Sequence, residues 1–318
     1  MTTALGKGHF ADRLAALVEE RRSRVVLGLD PDPGALWPIA LNGGSTRPDH
    51  GHSGPDEGLG TAGVAAEAVQ THCAAVIEAA APSCVAIKLQ LACFERLGAA
   101  GWAALEAVRD LARQAGLLAI ADGKRGDVPI TARAYAQALV GSTPTPFGEV
   151  SGLDADAFTV NPLLGRDSLK PFVDAAAQAG AGCFLLVNTS NPGAADLQDL
   201  DAGGVPLHEH MAALANSAGA DHIGDCGLSL VGAVTGATRP ERLERLRRLM
   251  PRAIFLLPGV GAQGGDPARL GLAFSPHPAA GLVTASRSIV DAYRDTGEHP
   301  AIAAGAAAED LRAVTWNR

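Results

Sequence analysis

The stretch "GLLAIADGKRGDVPIT", residues 116–131, joins an apolar run to a dense cluster of charge. Its opening six residues read as a short strand, apolar on both faces as strands of a parallel sheet are. Asp122, Lys124, Arg125 and Asp127 then fall within six positions, with Asp127 at the turn into the next helix and Thr131 one helical turn beyond. A buried strand that ends in charge and turns into a helix is the building unit of an α/β fold, and the sequence repeats it.

Comparable runs occur at 24–29 "RVVLGL", 84–90 "CVAIKLQ", 156–161 "DAFTVN" and 182–188 "GCFLLVN", and again at 228–234 "LSLVGAV", 253–257 "AIFLLP" and 281–285 "GLVTA". Ala/Leu-rich helical stretches lie between them, among them 64–81, 99–115, 168–179 and 239–250. Eight strand–helix units in a chain of 318 residues predict a single-domain (β/α)8 TIM barrel over residues 1–318. The alternative is a doubly wound open sheet. A helix over 9–22 precedes the first strand and is expected to plug the barrel's bottom, and 302–309 reads as a plain helix. Residues 41–63, rich in Gly, Pro and His and without period, read as a flexible insertion after the first strand, and 141–153 and 191–206 as irregular segments.

Composition narrows the function. Hydrophobic residues make up 47% and charged residues 19%, so most of the chain is expected to pack. A net charge of −8 and only 4% aromatics argue against a nucleic-acid platform, which needs basic clusters and stacking rings. One local cationic pocket for an anionic substrate is compatible with that surface. Five scattered cysteines without a C-x-x-C read as reduced thiols of a cytoplasmic protein. No signal core and no long apolar span is seen, which predicts no membrane segment. His208 and His210 flank Glu209, but no third ligand is placed, so the pair reads as an exposed polar loop rather than a metal site.

The charge cluster has a chemical logic. With extended geometry through position 124, Ile120, Asp122 and Lys124 share a face that looks into the mouth of a barrel, where such folds do their chemistry. A carboxylate ~4 Å from an ammonium at an effective dielectric of ~20 attracts it by about 4 kcal/mol, which keeps the lysine protonated. Lys124 therefore reads as a general acid rather than a Schiff-base nucleophile. Asp30 ends "VVLGLD", and Lys88 sits inside "VAIKLQ", where a lysine needs a partner. The expected result is an alternating Lys–Asp array at the mouth.

A second feature lies late in the chain. "PGVGAQGGDP", 258–267, contains Gly259-x-Gly261-x-x-Gly264, but no acidic residue follows at the distance a dinucleotide site requires. In barrels the loops after strands seven and eight commonly hold a phosphate through backbone N–H groups. Gly261 and Gln263 are placed for that, and Arg287 in "SRSIV" adds a guanidinium.

These residues together resemble the orotidine 5′-phosphate decarboxylase family, in its bacterial type 2 subgroup. "DGKRGDVPIT" resembles the D-x-K-R-G-D-I-x-x-T signature, and "VVLGLDPDP", "VAIKLQLACFE", "FTVNPLLG", "NTSNPG", "VGAVTGATRPE" and "LPGVGAQGGD" resemble successive segments, from Asp30 to Arg287. The resemblance implies decarboxylation of orotidine 5′-phosphate (OMP) to UMP and CO2 in pyrimidine biosynthesis, without cofactor or metal. It implies Lys124 as proton donor to C6, Asp122 beside the departing carboxylate and Lys88 within the array. Asp127 and Thr131 would reach into the partner's site across a homodimer. Asp30 would bind the ribose, Ser190 the pyrimidine edge, and Gly261, Gln263 and Arg287 the phosphate.

Three rival readings fit parts of the sequence. A sugar-phosphate decarboxylase or hexulose-phosphate synthase shares D-x-K-x-x-D but uses Mg²⁺, held partly by an acid ending strand two; here that region offers Lys88, with Glu95 further along. Arg125-Gly126-Asp127 spells an adhesion tripeptide. A catalytically dead nucleotide-binding barrel is opposed by the intact Asp122, Lys124 and Asp127.

Overall fold

The computed structural model describes residues 8–42, 60–261 and 264–317. Eight strands lie in parallel: β1 (Val25–Leu29), β2 (Ala86–Gln90), β3 (Leu118–Arg125), β4 (Ala157–Val160), β5 (Gly182–Asn188), β6 (Val231–Thr235), β7 (Phe255–Leu257) and β8 (Gly281–Ala285). Each pairs with its sequence neighbours, and β8 returns to β1, with Val25 opposite Val283, closing the barrel. Closure selects the (β/α)8 barrel over the open sheet. The strands are buried almost throughout, which is why they are near-continuous apolar runs.

The bottom of the barrel is structural. The helix Phe10–Arg21 closes it, with the Phe10 ring edge-on to Phe184 at 5.9 Å. Gly182, at the start of β5, allows this: a Cβ there would sit 2.5 Å from the Phe10 ring. Arg21, at the end of the same helix, donates to the carbonyls of Ala81, Cys84, Ala115 and Gly116 at 2.7–3.0 Å, tying together the approaches to β2 and β3. Arg247 does the same on the other side, bonding the carbonyls of Met250, Ala253, Ala273 and Ala280 while lying 3.7 Å from the Phe255 ring centre.

Several expectations are corrected. The insertion is narrower than 41–63: a helix runs over Pro38–Asn42 and another begins at Thr61, and the remainder, 43–59, lies outside the described residues. Residues 141–153 contain a two-stranded antiparallel hairpin, Ser142–Thr145 with Gly148–Ser151. Its strands are four residues each and carry two prolines nearby, so no alternation announces them. His208 and His210 belong to the helix Leu207–Ala218, not to an exposed loop. The His208 ring is buried with Nδ1 2.9 Å from the Gln198 carbonyl, and the exposed His210 has Nε2 2.9 Å from that of Ala202. Among the described residues no cluster of three or more His, Cys, Asp or Glu is arranged to hold a metal, and no helix is long and apolar enough to cross a membrane.

Candidate active site

Strand register sets the height of each side chain. Gly28 on β1 lies opposite Lys88 on β2, and Gln90 lies opposite Asp122 on β3. Residues two apart along a strand share a face, so Lys88, Gln90 and Asp122 enter the upper end of the barrel, and Asp30, two beyond Gly28, meets them there.

Four charges then alternate in sign. The Lys88 ammonium donates to Asp30 Oδ1 at 3.4 Å and to Asp122 Oδ2 at 2.8 Å. The Lys124 ammonium donates to Asp122 Oδ1 at 2.7 Å. The chain is buried in its middle and open at both ends: the side chains of Lys88 and Asp122 are 9% and 6% exposed, while those of Asp30 and Lys124 are 37% and 44% exposed. The inner pair is thus structural in depth and the outer lysine is accessible.

Asp122 is held from every side. Thr159 on β4 donates to its Oδ1 at 2.8 Å, and Gln90 Nε2 approaches Oδ2 at 3.4 Å. Burial alone would raise its pKa, but the attraction of Lys88 and Lys124 and their hydrogen bonds prevail and hold the carboxyl well below the usual carboxylate range. Burial likewise works against the Lys88 ammonium, yet Asp122 and then Asp30 outweigh it, and its pKa is raised. The stabilisation from Asp122 is complete above its usual value of 3.8 and is lost as pH falls through the lowered one. That from Lys88 is complete below 10.5 and is lost as pH rises through its raised value. The pair therefore stays charged across the neutral range.

Extended geometry does not persist to Lys124. The β3–β4 register shifts between Ala121 and Arg125, and Lys124 adopts φ +48°, a left-handed conformation rare outside glycine and costing roughly 1–2 kcal/mol. The Thr159 hydroxyl oxygen accepts the Lys124 N–H at 2.9 Å and fixes the turn. The same turn brings the amine back onto Asp122. Arg125 is turned elsewhere: its guanidinium pairs with Glu95 and lies 5.4 Å from the Tyr135 ring centre. That contact occupies Glu95, the first acid in the chain after β2.

The array opens onto a cavity of about 840 Å³ with two unlike halves. Asp30, Lys88, Gln90, Asp122, Lys124 and Thr159, from β1 to β4, make one half charged and polar. Leu186, Val234 and Leu256, from β5 to β7, make the other apolar. Thr189, Ser190 and Gln198 form a polar wall above β5, and Pro258, Gly259, Val260, Ser286 and Arg287 form the rim above β7 and β8.

Of the residues singled out in the sequence, Asp30, Lys88, Asp122, Lys124, Ser190 and Arg287 surround this one cavity. Gly261 lies in the rim loop at φ +69°, but its N–H donates to the Gly265 carbonyl at 3.1 Å and is committed within the loop. Gln263 lies outside the described residues. Asp127 and Thr131 do not reach the cavity of their own barrel: Asp127 Oδ1 accepts the Val128 N–H at 2.7 Å, and Thr131 is exposed on the helix Pro129–Val140. Gln90, Thr159 and Gln198 were missed. Gln90 is two residues from Lys88, so the shared-face rule could have found it, and Thr159 is the one polar residue of the apolar run "AFTV".

The model of the Orotidine 5'-phosphate decarboxylase / HUMPS family matches residues 23–299. The chain is 40% identical over 289 residues to an orotidine 5'-phosphate decarboxylase of Rhodopirellula baltica, covering 90% of this chain and 89% of that one. It is 38% identical over 308 residues to that of Roseiflexus castenholzii, covering 96% of each. Among solved structures, a putative orotidine-monophosphate-decarboxylase from Toxoplasma gondii superposes with a TM-score of 0.74 at 29% identity, over 98% of this chain and 99% of that one. A putative orotidine 5'-phosphate decarboxylase from Streptomyces avermitilis superposes with a TM-score of 0.71 at 30% identity, over 99% of each. A match over most of the barrel, with near full-length relatives at this identity, shows that the chain belongs to the orotidine 5'-phosphate decarboxylase / HUMPS family.

Proposed function

We propose that the protein decarboxylates OMP to UMP and CO2 in pyrimidine biosynthesis, with Lys124 as the proton donor to C6. The observation that carries this reading is the continuous Asp30–Lys88–Asp122–Lys124 array, opening on the same cavity as Arg287. Loss of CO2 leaves an electron pair on an sp² carbon with no conjugated sink. A fixed ammonium aimed at that carbon stabilises the charge as it forms and then supplies the proton. Asp122, kept ionised by its four donors, orients Lys124 and stands beside the departing carboxylate, so that its loss as CO2 removes a like-charge contact. The apolar half of the cavity suits the neutral product CO2.

Asp30 meets the ribose and Ser190 the pyrimidine edge. Arg287, the rim loop with Gln263, and the N–H groups around Gly259 and Gly261 take the phosphate; of these, the Gly261 amide becomes available only if the loop rearranges. A phosphate grip far from the breaking bond can drive loop closure, which raises turnover as well as affinity. Arg287→Ala should raise KM for OMP about 10- to 100-fold, as expected for a lost charged hydrogen bond, and an unchanged KM would remove the phosphate assignment.

Asp127 and Thr131 do not line their own cavity and are flanked by Val128 and Ile130, 54% and 87% exposed. That combination fits a homodimer in which both residues complete the partner's site. A cytoplasmic location and the type 2 subgroup complete the reading; the subgroup rests on the segments around Asp122, Ser190 and Gly259.

The Mg²⁺-dependent sugar-phosphate chemistry of the same superfamily is the competing reading. It would need an acid at the end of β2, where Lys88 and Gln90 stand, with Glu95 paired to Arg125. Following pyrimidine absorbance with OMP in excess EDTA separates the two. Full activity in chelator is expected; activity that appears only on adding Mg²⁺ would favour the competitor.

A further inference from the structure

The polar wall above β5 is braced from outside the cavity. Gln198 folds back on the start of its own loop, its Oε1 accepting the Thr189 N–H at 2.9 Å and its Nε2 donating to Thr189 Oγ1 at 2.8 Å. The next residue, Asp199, does not line the cavity; it faces the segment after β6. Arg242 grips it with both nitrogens, Nη1 to Oδ1 at 2.6 Å and Nη2 to Oδ2 at 2.9 Å, and Arg239 Nη1 adds a third bond to Oδ2 at 3.0 Å. His208 supports the same point through the Gln198 carbonyl. The two loops also abut directly: a Cβ on Gly236 would lie 2.9 Å from Ser190 Cα. The hydrogen bond of Arg242, with burial opposing and Arg239 assisting, draws the Asp199 carboxyl down to about 2, so the clasp is charged at any physiological pH.

We propose that Asp199 is a positioning residue of the active site: by clasping Arg242 and Arg239 it locks the loop after β5 to the loop after β6 and fixes the wall of Thr189, Ser190 and Gln198 against the substrate's base. This rests on the decarboxylase reading above. An isolated exposed ion pair does little, but a two-pronged carboxylate–guanidinium contact joined by a second arginine has the geometry that holds a loop in place. The clasp lies on the base side of the cavity, whereas Arg287 and Asp30 lie on the phosphate and ribose side. Its loss should therefore be felt by ligands that carry a base and not by those that lack one.

The test compares wild-type protein, Asp199→Asn and Arg242→Lys in calorimetric titrations with UMP and with ribose 5-phosphate, alongside OMP kinetics. Asp199→Asn should weaken UMP and lower kcat/KM about 10-fold, with ribose 5-phosphate unchanged within about twofold. Arg242→Lys keeps the charge but loses the two-pronged contact, so an intermediate loss is expected; it also answers the question if Asp199→Asn does not fold. Equal weakening of both ligands would mark a merely structural role and overturn the proposal, as would unchanged UMP binding. Wild-type protein that neither binds UMP nor consumes OMP would overturn the decarboxylase reading and this proposal with it, whereas an active wild type with an indifferent Asp199→Asn overturns the proposal alone.

Discussion

Lys124→Ala should lower kcat on OMP by at least about 10³-fold while the barrel stays folded, because it removes both the charge that stabilises the carbanion and the proton that quenches it. Stability should change little. The Lys124 side chain is 44% exposed and lies outside the core, and Asp122 keeps Lys88, Thr159 and Gln90 as donors after the deletion. Lys124→Arg separates the two roles. A guanidinium holds the charge but does not give up its proton, so it should remain far below wild type. Circular dichroism and thermal melting report the fold, and single-turnover rates report the chemistry. A Lys124→Ala protein with more than about a tenth of wild-type turnover would remove this lysine from the mechanism.

The second large effect is a gain from two losses. If Asp127 serves the partner's site, Asp127→Ala and Lys124→Ala proteins are each inactive alone. Mixed and allowed to exchange subunits, half the dimers are hybrids. In a hybrid, the barrel that retains Lys124 receives an intact Asp127 from its neighbour, and the other barrel lacks both. One site in two is restored in half the dimers, so activity should climb to about a quarter of wild type. The position of Asp127 motivates this: its carboxylate accepts the Val128 N–H just before the helix Pro129–Val140 and does not line the cavity that holds Asp122 and Lys124. A mixture that shows subunit exchange but no recovery would confine the site to one chain.

What was legible in the sequence follows from what is local. Each strand of the barrel is a short apolar run whose neighbours are its sequence neighbours, so eight runs and intervening helices suffice for the architecture. Asp122 and Lys88 were legible because a charge in an apolar strand needs a partner. The turn at Lys124 was not, because it depends on the Thr159 hydroxyl, 35 residues away on the adjacent strand. Nor was the diversion of Arg125 to Glu95, 30 residues back, a tertiary pairing that no spacing rule reports. The glycine loop shows the opposite failure. Its spacing suggested amides facing an anion, but the Gly261 N–H bonds Gly265 within the loop, an economy visible only once the loop is folded. His208 was read as loop because its partner, the Gln198 carbonyl, comes from the far side of an irregular segment.

The most direct test of the central claim is chemical rescue of Lys124→Ala with small amines, measured as single-turnover decarboxylation of OMP in EDTA. Ethylammonium, which carries charge and proton to the vacated position, should restore a saturable fraction of the rate, and tetramethylammonium, which carries charge alone, should not. Equal rescue by both ions, or a variant that needs no rescue, would contradict a proton-donating Lys124.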